Sequence, residues 1–192
     1  MATSRAARPE RDLPATAWAV LGLLSFGREL SGYDLKKWAD SSLRFFYWAP
    51  AASQIYAELR RLESLGFVRS RSPKDADARG KRVFRITATG KRALRDWLGR
   101  SAVEPPVLKH GVALRVWLGH LADPGELRSV VSAHRDRSAQ MADEARVAAE
   151  TSVAGGWDLP ALVTRWSQRY YESEAVLADE MLRDLDGLNA HH

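Results

Sequence analysis

Ser53, Gln54, Arg60 and Arg61 fall on one side of the stretch Ala49–Leu65, APAASQIYAELRRLESL, and Ile55, Leu59 and Leu62 fall on the other. The apolar set recurs at i, i+4 and i+7, the spacing of one helix face. Gly66 follows, where a left-handed stop residue is expected. The polar face opens with small and amide side chains and closes with two guanidinium groups. Small residues permit close approach, an amide matches a base edge, and arginine reaches a base or a phosphate. The head of such a helix suits a DNA major groove. Tyr56, at the flank, reaches toward a phosphate or a thymine methyl. Taken alone, the same pattern also describes a packing helix with a solvated back.

The residues after Gly66 separate these readings. FVRSRSP and KRVFRIT are β-prone runs on either side of the polar loop Lys74–Gly80, and Phe84 and Ile86 alternate with Arg85. The pattern predicts a two-stranded hairpin. Arg69, Arg71, Lys74, Arg79, Lys81 and Arg82 stud it, beside only Asp75 and Asp77. A basic hairpin directly behind a recognition-type helix is the wing of a winged helix-turn-helix, and its cations suit phosphate or minor-groove contact.

Charge is sorted along the chain. Residues 1–100 hold 20 Lys/Arg against 10 Asp/Glu, and residues 101–192 hold 9 against 14, within an overall net charge of +5. A basic first half points to a polyanion partner, which the acidic second half would repel. There is no cysteine, so disulfides and thiolate metal sites are excluded. No secretory signal is visible, and no run approaches the roughly 20 apolar residues of a membrane helix. The expected compartment is the cytoplasm. No P-loop, dinucleotide fingerprint or HExxH occurs, and His110, His120 and His134 lack ligand spacing to a carboxylate. Neither an enzyme, a cofactor nor a metal site is expected. The final His191 and His192 are given no role.

The elements that must position the helix and wing follow from caps and periodicity. Met1–Asp12 is charged and Ala/Arg-rich, and reads as a flexible arm. A first helix over Pro14–Phe26 is apolar on several sides and so belongs in the core. Ser31 and Asp34 form a capping box for a second helix, with Leu30 and Leu35 at staple positions. Leu35, Trp38 and Ala39 face inward on it, and Lys36 and Lys37 outward. Phe45–Trp48 reads as an aromatic plug between helices. Thr87 caps a further helix with Ala93, Leu94, Trp97 and Leu98 on its apolar face. Pro105-Pro106 ends this region.

Beyond the prolines the chain is helical. Val107–Leu121 reads as one helix, Asp123-Pro124-Gly125-Glu126 starts another, and Gly155-Gly156 breaks it near Thr151. A last helix spans Leu159–Leu188, where Leu162, Trp166, Tyr170, Ser173, Leu177, Met181 and Leu185 recur at spacings near those of a coiled-coil seam. Two such long helices have more apolar stripe than about 85 residues can cover, so a second copy of the chain is the expected partner. The fold class is mainly α with a small β wing. Its expected parts are an arm (1–12), a winged helix-turn-helix domain (13–100), a linker (101–106) and a helical dimerisation domain (107–190).

Four blocks in order, VLGLLSFG, SGYDLKKW, SQIYAELRRLESLGFV and RVFRITATGKRALRDWL, resemble the PadR family of bacterial transcriptional regulators over Ala15–Leu98. The second half is similar, in helix pattern more than motif, to the long-tailed branch with a virulence-activator-like helical domain. The resemblance implies a homodimeric winged-helix protein on a pseudo-palindromic double-stranded DNA operator. It implies a repressor released by a small, often aromatic molecule. By the same resemblance Ser53, Gln54 and Tyr56 contact bases or phosphate, and Ser31, Gly32 and Tyr33 form the backbone-binding turn, whose helix N-terminus offers free N–H groups. Lys36, Arg60, Arg61, Arg79, Lys81 and Arg82 complete the expected DNA surface. Where this family often has Gly before the QIY run and Pro after it, this chain has Ser53 and Ala57, changes that bear on base preference. Trp97, where the family's connecting helix meets the dimer core, is the expected effector contact. Leu162, Trp166, Tyr170, Leu177, Met181 and Leu185 are the expected dimer contacts. The alternative is a dimeric winged-helix adaptor that binds protein and no specific DNA.

Overall fold

The computed structural model describes residues 13–72, 81–100, 102 and 105–189. The arm 1–12, linker residues 101, 103 and 104, the hairpin tip with Lys74 and Arg79, and the terminal histidine pair lie outside the described residues. The chain divides into two units, Met1–Glu104 and Pro105–His192. No described helix is long and apolar enough to cross a membrane.

The first unit is organised around helix α1 (Ala15–Leu24), whose Ala17, Trp18, Val20, Leu21, Leu23 and Leu24 are all buried. Its entry at Pro14 is extended, as the fixed proline φ allows. Helices α2 (Gly32–Ser41), α3 (Ala52–Ser64) and α4 (Ala88–Arg100) surround it. Leu21, Leu24, Leu35, Ile55, Leu59 and Leu62 are almost wholly buried in this cluster, each contributing about 1.5–3 kcal/mol by the usual transfer scale. Gly66 has φ +70°, a left-handed conformation that ends α3 and sends the chain into the sheet.

That sheet has three antiparallel strands, β1 (Leu30–Ser31), β2 (Val68–Arg71) and β3 (Val83–Ile86), in the order β1-β3-β2. The two-stranded hairpin expected from the sequence is therefore incomplete. Leu30 lies opposite Phe84 and Ser31 opposite Val83. Two residues cannot display alternation, so β1 has no local signal. Thr87 caps α4 as expected, its Oγ1 accepting from the Gly90 N–H at 3.1 Å. Two other expectations fail. Only Phe45 of the aromatic connector is buried, whereas Phe46, Tyr47 and Trp48 are exposed, the last two stacked at 4.1 Å. Leu98 is 69% exposed, leaving Ala93 and Leu94 as the buried face of α4.

The second unit contains α5 (Gly111–Trp117), α6 (Pro124–Ala154) and α7 (Asp158–Asn189). The helix expected over Val107–Leu121 starts later, because His110 takes the cap position and its Nδ1 accepts the Ala113 N–H at 3.0 Å. No residue of α5 is buried. Asp123 caps α6 by accepting the Glu126 N–H at 2.9 Å, with Pro124 in the first turn. The turn at Gly155-Gly156 brings α7 back along α6. Their seam is built from small residues: Ala142, Ala145, Ala149, Ala161, Ser138 and Ser167 are buried. Buried Ser152, Thr164 and Ser167 hydroxyls donate to carbonyls four residues earlier on their own helices, at 2.8–2.9 Å, so no polar group in the seam lacks a partner on their account. Ion pairs Arg128–Asp186 (2.8 Å) and Arg135–Asp179 (3.3 Å) tie the outer edges. The single apolar stripe expected on α7 is split. Met181 and Leu185 pack within the unit around Val131, Ala178 and Leu182, whereas Leu162, Trp166, Tyr170 and Leu177 are exposed.

Candidate nucleic-acid interface

The head of α2 is fixed first. The Ser31 N–H donates to Asp34 Oδ2 at 2.9 Å, the Ser31 hydroxyl donates to the same oxygen at 2.6 Å, and the Asp34 N–H donates back to Ser31 Oγ at 3.2 Å. The Ser31 hydroxyl bond, with Lys81 and Lys37 nearby, holds the Asp34 carboxyl below its usual range. Ser31 is buried and its hydroxyl is consumed by the cap, so it positions the turn.

Gly32 comes next and faces Tyr56. A Cβ built on Gly32 would stand 2.4 Å from Tyr56 Cε1, so the α3 tyrosine ring keeps its place against the start of α2 only because residue 32 is glycine. Tyr33 is 62% exposed, with Lys81 Nζ 5.0 Å above its ring, a cation–π arrangement. Ser31, Tyr33, Tyr56, Arg60, Lys81 and Arg82 line one cavity of about 410 Å³. Six expected residues from two helices and the wing thus converge.

The expected cations divide by what they already hold. Arg82 donates from Nη2 to Glu63 at 2.7 Å and from Nε to Ser70 Oγ at 2.8 Å. Arg61 pairs with the buried Glu58 at 3.2 Å, and Lys36 pairs with Asp40. Arg60 and Lys81 have no acidic ion-pair partner among the described residues. Glu63, which has the look of an inert position late in α3, accepts from the Ser70 N–H at 3.2 Å and from the Ser70 hydroxyl at 2.6 Å. Those bonds, the hydroxyl first and Arg82 after it, hold its carboxyl below the usual range. It fastens the wing to α3.

Gln54 stands apart from the cavity. Its Oε1 accepts the Ala51 N–H at 2.9 Å, half of a capping box at a cap residue that has no side-chain oxygen of its own. A paired contact with adenine needs that oxygen as well as the amide donors. Ser53 is exposed beside it, and Arg79 lies outside the described residues. Trp97 stacks on Trp18 within the first unit, ring centroids 5.2 Å apart and planes 12° from parallel.

Arg69, Arg85 and Lys91 line a further cavity of about 310 Å³. Arg69 and Arg85 are register partners across β2 and β3, an opposition of like charge that weakens a hairpin. Glu29 relieves part of it. It accepts from Arg71 Nε at 2.9 Å, and Arg85 and Arg69 lie close enough to help lower its pKa. The alternation of FVRSR and RVFRI places both arginines outward, but only the register reveals that they face each other.

Comparison with known proteins matches residues 20–96 to the transcriptional regulator PadR-like family. The negative transcriptional regulator PadR of Bacillus subtilis is 37% identical over 100 residues, which span 52% of this chain and 54% of that protein. The crystal structure of Bacillus subtilis PadR in complex with operator DNA superposes with a TM-score of 0.75 at 24% identity, covering 90% of this chain and 99% of that one. Its complex with p-coumaric acid gives 0.68 at 25% identity, over the same shares. The family and these relatives are transcriptional regulators, not enzymes.

Proposed function

We propose that the PadR-like domain formed by residues 20–96 binds double-stranded DNA and makes this chain a cytoplasmic transcriptional regulator. The observation that carries the reading is the convergence of Tyr33 from the head of α2, Tyr56 and Arg60 from α3 and Lys81 from the wing on one cavity. Two tyrosine hydroxyls, two cations with no acidic ion-pair partner among the described residues and the N–H groups at the α2 terminus offer a strand of phosphates several donors on one surface. Arg60 and Lys81 are the principal phosphate contacts, ahead of the paired Arg82 and Arg61. Gln54 reads a base through its amide donors, its oxygen being held by the helix cap.

Assembly and regulation complete the proposal. A second copy covers Leu162, Trp166, Tyr170 and Leu177, so the DNA site is a pseudo-palindrome matched to a two-fold homodimer. Repression is the expected sense, since the Bacillus subtilis relative is a negative regulator. A planar aromatic effector near the half-buried Trp97 is the expected release signal, by analogy with the p-coumaric acid complex.

The test is duplex selection from a random library, followed by fluorescence anisotropy across a salt series. Arg60→Ala and Lys81→Ala should each weaken binding to all sequences and reduce the salt slope by about 1. A chain that selects no duplex, or whose binding ignores both substitutions, would overturn the reading. Trp97→Phe should dull the response to p-coumaric acid, and an unchanged response would remove Trp97 from the effector site.

A further inference from the structure

His110, His134 and Glu174 come from three different parts of the second unit: the cap of α5, the middle of α6 and the middle of α7. Glu174 is 64 residues from His110 and 40 from His134, so no sequence spacing joins them. In the fold, Nε2 of His110 lies 3.0 Å from Glu174 Oε2, and Nε2 of His134 lies 3.2 Å from the same oxygen. The three atoms all fall within 4.8 Å of one another. The imidazole rings meet edge to face at 4.9 Å. The side chains are 20%, 26% and 14% exposed, and a cavity of about 680 Å³ opens beside them.

We propose that these three side chains form a binding site for a divalent transition-metal ion of the zinc class. Two imidazoles and one carboxylate are the donor set of three-ligand zinc sites, which keep a fourth position for water or a ligand. Metal–ligand bonds of about 2.0–2.2 Å in tetrahedral geometry set the ligand atoms about 3.3 Å apart. The two imidazole–carboxylate separations already match this, so closing on an ion asks for side-chain adjustment and leaves α6 and α7 in place. The cavity leaves room for the fourth ligand.

The proton positions make the site conditional. Without an ion, His110 Nδ1 accepts the Ala113 N–H, which places the ring proton on Nε2, facing Glu174. An ion at Nε2 moves that proton to Nδ1, where two N–H groups would then confront each other. Metal binding therefore opens the α5 cap. The first turn of α5 is the element whose stability the ion changes. The site does not depend on DNA binding and stands or falls separately from it.

The test uses the full chain carrying His191→Ala and His192→Ala, so that the terminal pair takes no metal. Zinc titration by calorimetry should give one ion per chain. His134→Ala and Glu174→Gln should each weaken binding by about 100-fold or more, while His120→Ala, an exposed histidine outside the cluster, leaves it unchanged. Helical circular dichroism checks that each variant is folded. Should either variant unfold, the parent itself decides: adding zinc should shift the NMR ring signals of His110 and His134 and leave those of His120 in place. Absence of binding, binding indifferent to Glu174→Gln, or a shift confined to His120 would overturn the site.

Discussion

The two units differ in what packs between their helices. In the first, large side chains fill the interior: Leu21, Leu24, Leu35, Ile55, Leu59 and Leu62 are almost wholly buried. In the second, the α6–α7 seam is lined by Ala142, Ala145, Ala149, Ala161 and Ser167, while Leu162 and Trp166 stand 63% and 56% exposed. Where the helices approach over small residues, large ones such as Leu162 and Trp166 stay outside the seam, while Val131 and Leu182 form a small apolar cluster of their own. The first unit thus buries its large aliphatic side chains in one core and presents outward a mixture of cations and aromatic rings. The second presents outward the apolar surface that a core would ordinarily hold, more than scattered exposed residues account for.

The contrast is sharpest at matched leucines. Leu59→Ala should destabilise the first unit by about 2–5 kcal/mol, the range for cavity-forming core changes, measured by denaturant unfolding. Leu177→Ala should cost the second unit itself no more than about 0.5 kcal/mol. Equal costs would break the contrast.

Overpacking probes the other side of it. Ala145→Leu places three extra carbons in the seam and should cost about 1–3 kcal/mol, although alanine-to-leucine favours neither more nor less helix to any large degree. A neutral result would mean that the seam has space the burial of Ala145 denies.

On the outer face of the first unit, stability and binding should separate. Gln54→Glu keeps an oxygen for the Ala51 N–H, and glutamate is favoured at that capping position, so the fold should be as stable as before. The amide donors are lost and a negative charge is gained. Specific duplex affinity should fall by about 1–3 kcal/mol, read as the ratio of specific to random DNA at fixed salt. Loss of stability with the ratio intact would make Gln54 a cap and nothing more.

The smallest effect concerns acid. Glu63 has a folded pKa below its ordinary value, so its contribution is present above the ordinary carboxylate range and is lost as pH falls through the lowered value. Glu63→Gln should therefore lower stability near neutrality and converge with the parent in acid. Parallel pH profiles for the two chains would show that the wing is fastened by something else.

Most of the first unit could be read from local rules. Ser31 and Asp34 announce α2, Gly66 ends α3, and Ile55, Leu59 and Leu62 are buried as their spacing requires. What escaped is long-range. β1 is two residues whose partners lie more than fifty positions on. Glu63 reads from its place on α3 as a position of little consequence, because its partners, Ser70 and Arg82, reach it only through the turn and the hairpin register. In the second unit the stripe on α7 was visible as a period, but not which part packs inward, since that depends on the rotation of α7 against α6. The His110–His134–Glu174 cluster is invisible to any spacing rule for the same reason.

The stacked pair Trp18–Trp97 has an optical consequence. Two indoles nearly parallel at 5.2 Å couple their strong transitions and should give a split far-ultraviolet dichroism band that exists only while α1 and α4 are packed. Trp117 and Trp166, 80% and 56% exposed, should emit at longer wavelength and shift to the blue when covered. The chain thereby carries two native spectroscopic channels, one for the integrity of its first unit and one for the burial of its second, and each can be followed without a label.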